Sequence, residues 1–125
     1  MSRPDNEVQR RSDFRSQATY PIWYREVGDE EETGRWTIAS TRDLSGGGAS
    51  FELVDDGKHE WSVGDLVEAQ VIVPPKPVFA IGKIVRLFQD ERGKACAGVM
   101  FVSISPADKD RIVRAVLDEG LRRPW

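Results

Sequence analysis

The stretch LVEAQVIVPPKPVFAIGKIVRLF, residues 66–88, limits the fold more than any other part of the chain. Val67, Ala69, Val71 and Val73 recur at every second position and make one apolar face. A period of two belongs to a half-buried β-strand. The prolines of PPKP, residues 74–77, fix φ and carry no amide donor, so a strand ladder cannot continue through them and they form a turn. Residues 78–88 then resume a β-branched pattern, interrupted by Gly82 at what reads as a bulge or a barrel corner.

Shorter segments of the same kind surround this pair. ATYPIWYRE (18–26) is apolar with a proline, as in a bent or edge strand, and VGDEEETGR (27–35) is an acidic hairpin loop. RWTIASTRD (35–43) alternates, with Trp36, Ile38 and Ser40 on one face and Thr37, Ala39 and Thr41 on the other. LSGGG (44–48) breaks the pattern and calls for special backbone angles. ASFELV (49–54) is a short strand, DDGKHEWSVGD (55–65) a loop, and QDERGK (89–94) a hairpin loop. ACAGVMFVS (95–103) is apolar on both faces, hence central or covered outside.

The period changes at SPADKDRIVRAVLDEG (105–120), which reads as a helix. Ser105 can cap it, Pro106 suits its first turn, Asp108 has capping-box spacing and Gly120 can close it. Ile112, Val113, Val116 and Leu117 form a stripe to pack on the strands. The expected fold is therefore mainly β: a six-stranded antiparallel barrel with a C-terminal helix packed on it, at 19–125. Residues 1–18 are expected to be a flexible arm, with Phe14 the only large apolar side chain after Val8.

Composition narrows the function. At 125 residues the chain is most simply one domain. A net charge of −3 argues against general nucleic-acid binding, and Glu52–Glu68 sets six acids against Lys58 alone. One cysteine, Cys96, and one histidine, His59, exclude an internal disulfide and a zinc site of the usual kind. Cys96 reads as a small buried hydrophobe and His59 as an exposed loop residue. There is no nucleophile–base pair, metal cluster or P-loop, so no catalytic residue and no metal ligand are assigned and no enzyme is expected. No apolar run approaches the ~20 residues of a membrane span, and MSRPDNEVQRR has no secretory signal. The expected setting is the cytoplasm.

Two stretches carry the chemistry. RRSDFR (10–15) brings three arginines together although like charges repel. Guanidinium is a planar fork suited to phosphate oxygens and to the O6/N7 edge of guanine. Taken alone, the run reads equally as a solvated charge cluster or as arginines paired with acids such as Asp13. In DLSGGGASF (43–51), Asp43 and Ser45 project on one side if the strand continues to Ser45. Aspartate can accept from the N1–H and N2–H₂ edge of guanine, and Gly46–Gly48 let a ligand approach the backbone. Alone, this is also an ordinary Asx or Ser turn.

Together, and in this order within one small β domain, the two stretches resemble the PilZ domain family. That family's motifs are RxxxR on an N-terminal arm and [D/N]xSxxG on a barrel strand and turn. Here they read Arg11-Ser-Asp-Phe-Arg15 and Asp43-Leu-Ser45-Gly-Gly-Gly48, with every defining position matched. PIWYR falls where the family's first strand sits, and GKIVRL with GVMFVSISPADKDRIVRAV resembles its closing strands and helix. The resemblance implies a receptor for cyclic di-GMP, with no other cofactor. It assigns ligand contacts to Arg11, Arg15, Asp43, Ser45 and Gly48. Arg10 precedes the motif, where an arginine accompanies a stacked ligand dimer in the family. It further implies an arm that changes conformation on binding to regulate an unidentified protein partner, in a monomer or homodimer. The alternative is an interaction adapter of the same fold with little or no nucleotide binding.

Overall fold

The computed structural model describes residues 19–28, 36–54 and 60–122. Its strands are β1 (Pro21–Glu26), β2 (Thr37–Ser45), β3 (Gly48–Glu52), β4 (Leu66–Val73), β5 (Lys76–Gln89) and β6 (Ala95–Ile104). A helix, α1 (Pro106–Arg122), follows. The strands close into an antiparallel barrel in the order β1-β2-β3-β6-β5-β4, with β4 pairing back onto β1. Closure leaves no open edge. So β1, expected as a bent or edge strand, is paired on both sides. Pro21 is tolerated because it is the first residue of the strand.

The hairpin read from residues 66–88 forms as expected. Val73 pairs with Lys76 across Pro74 and Pro75, and Val67, Ala69, Val71 and Val73 are all buried. Gly82 lies at a shift of register against β6. Val78 and Ile84 of β5 join those of β4 in the core, and the other strands add Ile22, Tyr24, Leu44, Ala49, Phe51, Ala97 and Val99. Tyr24 packs 4.8 Å from the Phe51 ring, and its hydroxyl accepts from the Val54 amide at 2.9 Å, so its polar end is satisfied.

Helix α1 lies against the barrel through Ile112 and Val116, while Val113 and Leu117, expected on the same buried stripe, are exposed. Ser105 is the N-cap, its Oγ accepting from the Asp108 amide at 3.1 Å. Asp108 does not reciprocate as a capping box; its carboxylate accepts from the Phe79 amide at 3.3 Å and so ties α1 to β5. Arg111 adds a second tie, donating to the carbonyls of Val73 (2.6 Å), Pro77 (3.2 Å) and Lys76 around the β4–β5 turn. The helix also runs past Gly120, since Leu121 and Arg122 are good helix formers. In β6, Cys96 to Val99 are all buried, but Met100 and Val102 are about half exposed, so only the first half of its outer face is covered. His59 lies outside the described residues.

Candidate functional site

A bulge turns Asp43 outward. Thr41 faces the core and pairs with Phe51; the register then shifts and Asp43 pairs with Ser50. Strict alternation from Thr41 would point Asp43 inward. The extra residue makes Leu44 the next core side chain, leaving Asp43 and Ser45 half-buried on the outer face. The strand does continue to Ser45, as a shared side for the two residues requires.

Ser50 fixes the carboxylate. Its Oγ donates to Asp43 Oδ2 at 3.0 Å, and Oδ1 has no hydrogen-bond partner among the described residues. Ser45 closes on its own turn: the Gly47 amide donates to Ser45 Oγ at 3.3 Å, and that hydroxyl reaches the Gly48 carbonyl at 3.4 Å. Both contacts are long, so the hydroxyl is readily exchanged to another partner.

The three glycines do not take the special backbone angles expected of them. None of Gly46, Gly47 and Gly48 has a positive φ. At Gly48 and Gly46 the requirement is space, whereas a Cβ on Gly47 would meet only Ser45 Oγ, at 4.0 Å. A Cβ on Gly48 would lie 2.2 Å from the Val99 carbonyl oxygen and 3.3 Å from Met100 Cα. On Gly46 it would lie 2.8 Å from Val113 Cγ2 of α1. The Gly47 carbonyl accepts from the Phe101 amide at 2.9 Å. The turn is therefore held between β6 and α1.

Over this face opens a cavity of about 270 Å³, bordered by Asp43, Ser45, Gly48, Ser50, Arg86 and Gly98 with neighbouring residues of β3, β5 and β6. It is near the lower end of ligand pockets, suited to about one nucleobase. Asp43, Ser45 and Gly48 thus come together on one recess. Arg10, Arg11 and Arg15 lie outside the described residues. Ser50, Arg86 and Gly98 were not foreseen, because they join the site by cross-strand pairing and no local sequence signal marks them. Among the described residues no group of acids, histidine or cysteine is arranged to hold a metal ion, and no helix is long and apolar enough to cross a membrane.

A closed six-stranded barrel with a C-terminal helix packed on it and an Asp/Ser/Gly recess on its outer wall defines a small β-barrel domain. The PilZ domain model matches residues 9–118, and the chain belongs to the PilZ domain family. That match spans both motif segments, RSDFR and DLSGGG. Similar solved structures agree on the fold. The Bacillus subtilis inhibitor of motility, MotI/DgrA, has a TM-score of 0.75 at 16% identity over 89% of this chain. This chain spans 51% of that protein. The PilZ domain of YcgR from Escherichia coli, solved with c-di-GMP, has a TM-score of 0.61 at 18% identity, covering 86% of this chain and 91% of that one. The PilZ domain of CeSA from a cellulose-synthesizing bacterium has a TM-score of 0.58 at 18% identity, covering 87% and 98%. A search of curated proteins finds no match.

Proposed function

We propose that this chain is a cyclic di-GMP receptor in which Asp43, Ser45 and Gly48 hold a guanine and Arg11 and Arg15 close over the ligand, with Arg10 beside them. The observation that carries the reading is the family match from residue 9 to 118, across both motifs, with the Asp/Ser/Gly residues gathered on one recess. The solved c-di-GMP complex of the YcgR PilZ domain supports the choice of ligand. In this reading residues 1–18 are a mobile arm that orders on binding, and the ordered arm presents or hides a surface for a protein partner in the cytoplasm. The receptor has no catalytic step.

Chain reach is compatible with this. The chain enters the barrel beside Thr41: the Tyr20 amide donates to Thr41 Oγ1 at 3.0 Å and the Thr41 amide to the Tyr20 carbonyl at 2.9 Å. Asp43 is two residues further on, about 7 Å along the strand. Arg15 and Arg11 precede Tyr20 by five and nine residues. Extended chain of those lengths spans up to about 17 and 31 Å, more than the recess requires.

Calorimetric titration with cyclic di-GMP, with tryptophan fluorescence followed in parallel, is expected to show saturable binding. Arg11→Ala or Arg15→Ala should each weaken it about tenfold or more, since each removes hydrogen bonds from a charged group. A wild-type chain with no saturable heat overturns the reading. Wild-type affinity in both variants overturns the role given to the arginines.

A further inference from the structure

The recess has a second charged end. Asp43 pairs with Ser50, Ser50 with Gly98, and Gly98 with Arg86, so the four form one row across β2, β3, β6 and β5. Three strand spacings separate its ends, about 14 Å of backbone. A carboxylate stands at one end, a guanidinium at the other, and two of the smallest residues form the floor between them.

Arg86 faces outward for the same reason as Asp43. Ala80, Gly82 and Ile84 are buried in strict alternation along β5, which would carry residue 86 into the core. The register shifts between Ile84 and Arg86, Val85 is the extra residue, and Arg86 emerges on the outer face opposite Gly98. Two separate bulges thus aim two opposite charges onto one recess. Bulges that re-aim a side chain are a feature of binding and active sites.

The guanidinium is also positioned without being neutralised. Its Cζ sits 4.4 Å from the centroid of the Phe88 ring. A Cβ on Gly98 would lie 2.9 Å from both Arg86 Cγ and Nε, so the side chain lies across β6 only because residue 98 is glycine. Among the described residues Arg86 makes no hydrogen bond and no ion pair. Its N–H groups are therefore open to an acceptor in the recess.

We infer that Arg86 is a further ligand-binding residue, which pairs with an anionic phosphate of the nucleotide whose guanine edge Asp43 takes. The inference rests on the receptor reading above. It adds that the barrel wall itself supplies a cation, independent of the arm. Without Arg86 the only charged side chain lining the recess would be Asp43, which repels a dianionic ligand.

The test is titration of the full chain with cyclic di-GMP at two salt concentrations. The variants are Asp43→Ala, Arg86→Ala, Gly98→Ala and the Arg86→Ala/Gly98→Ala double variant, with thermal melts to establish folding. Arg86→Ala should weaken binding about tenfold or more and make it less sensitive to salt. Gly98→Ala should weaken binding by displacing Arg86, and should cost nothing further in the Arg86→Ala background. Wild-type affinity in folded Arg86→Ala, with binding lost in Asp43→Ala, overturns the role of Arg86 and leaves the receptor reading standing. An undiminished salt dependence in Arg86→Ala overturns the phosphate contact. If Asp43→Ala also binds as wild type, it is the receptor reading that fails.

Discussion

Ser45 and Gly48 belong to one motif, yet different physics holds each in place. A side chain on Gly48 would strike the backbone of Val99 and Met100, which cannot rotate away, so β3 and β6 would have to separate. Gly48→Ala is therefore expected to lose about 1–3 kcal/mol of stability, read as a lower midpoint in urea. Ser45 makes only two long contacts within its own turn. Ser45→Ala should cost at most about 1 kcal/mol of stability while weakening the ligand. A Gly48→Ala chain as stable as wild type would show that the hairpin shifts at little cost, and the glycine would then be a ligand contact alone. Cys96 is a third case. It is fully buried, and desolvation raises its pKa, so the thiol persists to higher pH than an exposed one. An aromatic disulfide reagent at neutral pH should find it unreactive until denaturant unfolds the barrel, when one thiol per chain appears. Rapid reaction in the native state would contradict that burial.

Elements were legible wherever one residue's neighbours in sequence decided its fate. β4 matches residues 66–73 because its alternation is uninterrupted and a proline pair stops it. The N-cap at Ser105 was likewise legible, since the hydroxyl and the amide that donates to it are three residues apart. The bulges at Asp43 and Arg86 were not, because a shift of register depends on the opposite strand. For that reason Asp43, Ser45 and Gly48 were readable as a motif, whereas Ser50, Gly98 and Arg86 needed the closed barrel. The β5–β6 loop shows the same limit. QDERGK reads as a turn, but nothing local shows that Arg42 of β2 reaches Asp90 there at 2.9 Å. The Asp90 carboxylate accepts from the amides of Lys94 at 2.9 Å and Arg92 at 2.8 Å. The Lys94 amide is the largest influence holding its pKa below the ordinary 3.8, and burial opposes it. A depressed carboxylate contributes stability that is present above the unfolded value and lost as pH falls through the lower folded value. Asp90→Asn should therefore flatten the dependence of stability on pH below about 4, measured by urea unfolding across the acid range. An unchanged acid slope would mean that other carboxylates set it.

At the scale of the molecule, the proposed division between a barrel and an arm can be tested by deletion. The buried cluster and the residues packed on it run from Tyr20 to Val116, and closure pairs every strand on both sides. Among the described residues, the packing and pairing that close the barrel therefore need nothing before residue 19. Removing residues 1–18 is expected to leave the thermal midpoint within about 4 °C of the full chain. The ligand contacts proposed for Arg11 and Arg15 would vanish together. If each contributes about tenfold and the two act independently, affinity for cyclic di-GMP should fall about a hundredfold. What remains would be the barrel's own share, from Asp43, Ser45 and the wall at Arg86. Calorimetry and melts on the full and shortened chains check both halves of the expectation. A shortened chain that melts far lower would show the arm to be part of the fold. One that binds as tightly as the full chain would confine recognition to the barrel and leave RRSDFR without a role in holding the nucleotide.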